Sequence, residues 1–495
     1  MMQYSTLTVA DIQTGLAARD FSAKELAQAA FNAIESLDKS VHAFLELTPD
    51  QAFEAAKAVD EALANGTSPK QIGALAGVPI GFKDNMNQIG THTTCGSRML
   101  ENYVSPFSAT CVLNALKAGA LPLGKLNMDE FAFGSSTETS VFGPTHNPWD
   151  LKHVPGSSSG GSAAAVAAGM AIVTLGSDTG GSIRQPASFC GVVGFKPSYG
   201  LVSRHGVVEF ASSLDQVGPF GKTVADVAST LDAIAGYDPF DCTSRHIEPN
   251  FSTYLNAGVK GMKVGIVPSF LEYEGIEDEV INAVKDAIAK LEGFDAQIVE
   301  IELPHAAAAV SAYHVIGPCE AFSNLSCFDS IRYGFRVEGA RDLGTLYDQG
   351  RAHGFGPATI RNIMLGSYLL SSGVYDQYYY PAQKIRTLIT QDYTSAFEKV
   401  DALLVPTSPC TAFKLGEDND PTVAYLSNLL TVSTNIAGNG ALSLPVGLGE
   451  KSSLPVGLQI IGPQFKDENI IKVASALEGC YNIERLAPLA RGGVS

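Results

Sequence analysis

Positive charge is in short supply in this chain. Against 51 aspartates and glutamates stand 33 lysines and arginines, a formal net charge of −18 over 495 residues. A nucleic-acid backbone would meet net repulsion here rather than a basic footprint, so any RNA is expected on a partner protein. Long apolar runs are missing too: the Ala-rich stretch from Ala163 to Leu175 stops at Gly176, short of the roughly 18 to 20 residues that a membrane span requires. Met1 to Glu25 contain no basic segment followed by an apolar one, and no secretory signal is expected. The eight cysteines lack C-x-x-C spacing, which argues against a disulfide framework or a cysteine zinc site and fits a reducing cytoplasm. The nine histidines avoid H-E-x-x-H and other ligand spacings; His146, His153 and His205 are expected to serve loops, and no metal site is expected. Internal repeats, low-complexity segments and long Gly/Ser/Pro linkers are absent as well, which favours one large domain.

What is present is 45% hydrophobic residues, enough to bury a large core. Residues 1–65 read as a helical lead-in packed on that core, with starts at Thr8-Val9-Ala10-Asp11 and at the capping box Ser22-Ala23-Lys24-Glu25. The remainder, 66–495, reads as a single domain. From Gly77 to Tyr237 apolar runs such as Val78–Phe82, Ala120–Gly124 and Ala171–Leu175 alternate with Ala-rich helices, the signature of a helix-flanked, parallel or mixed sheet. The alternation restarts at Lys263–Val267, gives way to a mainly helical insertion over about 305–400, and ends in strands near 402–406, 441–445 and 457–461 and a helix over 467–480.

The chemistry concentrates between 77 and 200. Two Gly/Ser-rich loops, Gly156–Ser162 and Asp178–Arg184, lie one short helix and one strand apart, and Lys83 ends an apolar run upstream. Gly180 and Gly181 allow a tight turn that uncovers adjacent N–H groups, as an oxyanion hole requires, and Ser182 at its end can present a hydroxyl to a carbonyl. A serine hydroxyl needs a base. Lys83, neutral if desolvated, can take the proton through a second hydroxyl, Ser158. Ser162 directly precedes Ala163–Ala168 and can cap that helix. Gly156 and Gly161 share the G-x-x-x-x-G spacing of a phosphate loop, but Ser162 stands where such a loop carries lysine. The plain alternative for Lys83 is a surface lysine paired with Asp84.

The run Gly77–Lys83, the loop Pro155–Ser162, the stretch Gly176–Ala187 and Cys190–Ser198 resemble the amidase signature family across nearly the whole chain. The resemblance implies an α/β fold with a central mixed sheet sandwiched between helices, and a Ser-Ser-Lys triad that maps onto Lys83, Ser158 (in a cis peptide) and Ser182. Ser157 stands where a glycine is common. It implies an oxyanion hole from the backbone N–H groups of Thr179, Gly180, Gly181 and Ser182. Within the family, Lys125–Glu138, Phe142–Asp150, Ile363–Tyr368 and Tyr378–Tyr380 resemble the glutaminase subunits of aspartyl/glutamyl-tRNA amidotransferases. That likeness implies L-glutamine as substrate, with Tyr313, Arg361 and the position of Asn428 at its amino-acid end. It also implies B and C subunits as partners, misacylated tRNA bound through a partner, and ATP and magnesium used there, with no cofactor in this chain. An aspartate is expected at Asn428, whose neutral amide supplies no counter-charge for the substrate ammonium; a stand-alone amidase is the alternative.

Overall fold

In a computed structural model that describes residues 3–417, 428–481 and 484–492, the described strands form one eleven-stranded mixed sheet. They are β1 (Phe44–Leu47), β2 (Pro79–Lys83), β3 (Leu121–Leu126), β4 (Val173–Asp178), β5 (Val193–Lys196), β6 (Gln216–Gly221), β7 (Lys263–Ile266), β8 (Gln297–Glu300), β9 (Ala402–Pro406), β10 (Ala441–Leu448) and β11 (Pro455–Ile461). Their order is β1-β3-β2-β4-β6-β5-β10-β11-β9-β7-β8. β2 lies between β3 and β4 and runs parallel to both, and β7 is parallel to β8 and β9. The middle of the sheet is antiparallel, from β4–β6 through to β11–β9.

Both faces are covered, as the period-2 alternation of a strand demands. In β9, Ala402 and Leu404 enter one core while Leu403 and Val405 enter the other. The first core takes the helices Val9–Ala18, Ala23–Val41, Gly160–Ala167, Asp278–Gly293 and Asp467–Glu478. The second takes Ala309–Asn324, Tyr379–Phe397 and Val432–Ala437, so the helical insertion roofs the opposite face.

The lead-in is not purely helical. Both of its first helices start in capping boxes, Thr8 with Asp11 and Ser22 with Glu25, but Phe44–Leu47 forms β1 and pairs with β3 at the sheet edge. Four residues between the left-handed His42 and the Pro49 helix start are too short a run for periodicity to reveal, and cross-strand pairing decides them. β4 also outruns its apolar stretch. Pairing with β6 continues to Asp178↔Gln216, which carries Ser177 and Asp178 into the sheet. Among the described residues no helix is long and apolar enough to cross a membrane.

Candidate active site

The parallel strands β2 and β4 end side by side, and open α/β sheets gather ligands outside such carboxyl ends. Lys83 is the last residue of β2 and is fully buried, as is every residue of that strand. The surface pairing with Asp84 does not occur: Asp84 turns to Lys125, 3.0 Å away and equally buried. The Lys83 amine instead donates to Ser158 Oγ at 2.6 Å, Ser159 Oγ and Ser177 Oγ at 2.9 Å, and the Ser177 carbonyl at 3.3 Å. Burial pulls its pKa down to about 7, against the opposing pull of Asp129, Asp215 and Asp178. A group poised there is neutral for a large part of the time at physiological pH, and its lone pair can accept the Ser158 proton.

Ser158 follows a cis Ser157–Ser158 peptide bond and is fully buried. The helix behind it starts at Gly160, so Ser162 is not its cap: the residue lies inside the first turn, and its hydroxyl donates to the Leu175 carbonyl of β4 at 3.1 Å. Contact with the sheet outcompetes capping because the helix is buried on all sides. Ser182 is half-buried and makes no side-chain hydrogen bond among the described residues, so the Ser158–Ser182 link stands open in this structure.

Loop 179–183 is pinned by a carboxylate. Asp178 accepts the Gly181 N–H at 2.8 Å and the Ile183 N–H at 3.0 Å, and pairs with Arg184 at 2.9 Å, both side chains fully buried. Burial would raise the Asp178 pKa, yet the Arg184 charge and hydrogen bonds outweigh it and hold the group below the usual carboxylate range. Arg184 reaches on to the Gln459 amide oxygen at 2.5 Å and the Thr431 carbonyl at 3.0 Å, which ties the loop to two distant segments. This arrangement corrects the four-amide oxyanion hole: the Gly181 N–H is already engaged by Asp178. The amides of Thr179, Gly180 and Ser182 have no acceptor among the described residues. Thr179 is steadied by a 2.5 Å hydrogen bond from its hydroxyl to Asp215, whose carboxyl burial pushes up to about 7.

The residues expected at the amino-acid end of a substrate are placed unevenly. Tyr313 closes over the loop: a Cβ on Gly180 would sit 2.9 Å from its hydroxyl, so only glycine fits there. Burial pushes this phenol far up, and it stays a proton donor. Asn428 connects through Thr431, whose N–H donates to the Asn428 carbonyl at 3.3 Å and whose hydroxyl donates to the Gly180 carbonyl at 2.6 Å. Arg361, on the Pro357–Leu369 helix, is exposed and makes no hydrogen bond or ion pair among the described residues. His146 and His153 serve the 146–153 loop: the His146 ring hydrogen-bonds the Leu151 carbonyl, and His153 lies 3.0 Å from the Asp150 carboxylate. Sequence reasoning passed over Asp129, Ser177, Asp215 and Thr431. The first two stand inside motif runs, but only tertiary contacts reveal what they hold.

The Amidase family model matches residues 25–471. The A subunit of glutamyl-tRNA(Gln) amidotransferase from Moorella thermoacetica is 51% identical over 489 residues, 98% of this chain and 99% of that protein. The crystal structure of the corresponding A subunit from Thermotoga maritima superposes with a TM-score of 0.81 at 40% identity, covering 99% of this chain and 98% of that one. Peptide amidase from Stenotrophomonas maltophilia also has a TM-score of 0.81, at 30% identity over 97% of this chain and 98% of that one.

Proposed function

The chain belongs to the amidase family, and we propose that it is the glutaminase component of a tRNA-dependent amidotransferase. The observation that carries the amide chemistry is the buried Lys83 amine, lowered to about 7 and 2.6 Å from Ser158. Ser182 attacks the side-chain carbonyl of glutamine while its proton passes through Ser158 to Lys83. The open Ser158–Ser182 link closes when substrate fills the site, as catalytic hydrogen bonds commonly tighten on binding. The oxyanion forms against the unengaged amides of Thr179, Gly180 and Ser182, each donor worth about 3 kcal/mol in comparable acyl-transfer sites. The Lys83 ammonium returns the proton to the leaving nitrogen, ammonia departs, and the acyl group stays on Ser182 until water releases glutamate.

Tyr313, Arg361 and Asn428 hold the amino-acid end. A guanidinium grips an α-carboxylate with two parallel hydrogen bonds, and Arg361 keeps its donors uncommitted for that purpose. Full-length similarity to amidotransferase relatives supports glutamine as substrate, and the resemblance of the helical insertion supports B and C partner subunits in a cytoplasmic complex. A partner then binds the misacylated Glu-tRNA(Gln), Asp-tRNA(Asn) or both and consumes ATP with magnesium. The chain's net charge of −18 suits that division of labour.

Asn428 favours a second reading, a stand-alone amidase for another small amide, since a neutral side chain stands where an ammonium wants a counter-charge. Ammonia release from L-glutamine, L-asparagine and simple amides separates the two, measured with and without co-expressed partners and with Ser182→Ala as the blank. Glutamine-selective release that rises with the partners is expected. Partner-independent hydrolysis of other amides, with glutamine ignored, would replace this reading by the second.

A further inference from the structure

We propose that Asp129 is a positioning residue for Ser158, holding the Ser157–Ser158 pair against Lys83. This rests on the Ser-Ser-Lys reading above. Asp129 is fully buried on the turn that follows β3. Its own N–H donates to the Ser158 carbonyl at 3.3 Å, and its carboxylate accepts the Ser157 hydroxyl, so one residue grips both members of the pair. The same carboxylate accepts the Thr137 N–H at 2.9 Å, the Thr139 N–H at 3.0 Å and the Thr139 hydroxyl at 2.7 Å. Thr137 in turn donates its hydroxyl to the Gly156 carbonyl at 2.7 Å, closing a ring around the serine loop.

The segment wrapped around this carboxylate is strained. Phe131, Ala132 and Thr137 have φ of 46°, 64° and 63°, left-handed values that non-glycine residues keep only where the surroundings over-determine them. A Cβ on Gly134 would come within 2.5 Å of the Asp129 carboxylate, so the loop closes as tightly as glycine permits. Four donors converging on one buried carboxylate supply the over-determination. Glu130 anchors the other side of the turn, accepting Ser97 Oγ at 2.5 Å, the Gly356 N–H at 2.8 Å and Thr359 Oγ1 at 2.6 Å. The relay loop is thereby referenced to the helix that carries Arg361.

Among the described residues, hydrogen bonding to Asp129 comes from N–H and hydroxyl donors, with no lysine or arginine among them. Its charge is felt by Lys83, which also faces Asp215, Asp178 and Cys95. Removing the Asp129 charge takes away the strongest of the influences that raise the Lys83 pKa, so the amine loses its proton at lower pH. A residue that supported the fold away from the amine would leave that titration in place.

The test uses the assembled complex and glutamine hydrolysis. Asp129→Asn presents an amide to donors that need an acceptor; kcat is expected to fall on the order of 100-fold with KM nearly unchanged, and the acid limb of the kcat profile to move to lower pH. Ser157→Ala removes only the hydroxyl that Asp129 grips, and about a tenfold fall in kcat with an unmoved limb is expected. Wild-type kcat in a folded Ser157→Ala variant overturns the proposal, as does an Asp129→Asn variant whose acid limb stays in place. If Asp129→Asn fails to fold, Ser157→Ala decides alone. Failure of the underlying triad reading shows separately, as hydrolysis that survives Ser182→Ala.

Discussion

The two sides of the proposed site are built differently. On the sheet side, Lys83, Ser158, Asp178 and Arg184 are fully buried, and each makes at least one hydrogen bond to a segment distant in sequence. On the insertion side, Arg361 is exposed and unpaired among the described residues, and its helix presents Met364 (67% exposed) and Tyr368 (58%) to solvent. The contrast separates two physical demands. Proton transfer and oxyanion stabilisation gain from groups fixed in advance in a low-dielectric site, because nothing then has to reorganise at the moment of reaction. Recognition of a substrate end can be assembled on binding, and an exposed aromatic face is tolerable where another surface is to cover it.

The comparison breaks most sharply at Lys83. Lys83→Ala is expected to reduce kcat on the order of 10⁴-fold without unfolding the chain, measured by ammonia release and circular dichroism. In the wild type the limb belonging to this amine is expected near pH 7: below it the amine is charged and cannot accept a proton, so the rate rises with pH through that region. Next in size is the buried pair. Arg184→Ala leaves Asp178 charged, buried and unpaired, and a loss of about 3–5 kcal/mol is expected in denaturant unfolding, together with loss of activity. The insertion side should respond more mildly and in a different parameter. Arg361→Ala is expected to raise KM for glutamine about 10- to 100-fold, the worth of a lost charge-assisted pair, with kcat and stability nearly intact. Asn428→Asp should lower KM a few-fold by restoring a counter-charge. A kcat effect at Arg361 as large as that at Lys83 would erase the distinction between the two halves.

Much of this was legible in the residues. Glycine pairs, serine clusters and a lysine at the end of an apolar run are local features, and the strand and helix alternation that carries them is periodic. The α/β sheet with its helical insertion and membership of the amidase family follow from those patterns. Less legible were β1, the extension of β4 to Asp178 and the role of Ser162, because each depends on what a neighbouring strand offers rather than on local propensity. The engagement of the Gly181 amide was hidden for the same reason: its partner, Asp178, is near in sequence but reaches it only through a side chain that Arg184 holds in place.

By itself the chain's sequence determined which groups are available for the chemistry: a lysine, two serines, a glycine turn, and a net charge of −18. Only the tertiary structure decided what state those groups are in. The pKa of Lys83 comes from desolvation by a sheet assembled out of distant strands, with three carboxylates from separate segments pulling against it. The grip of Asp129 on the serine loop likewise joins segments far apart in sequence within one buried volume. Burial and field are sums over space, and no window along the chain contains them.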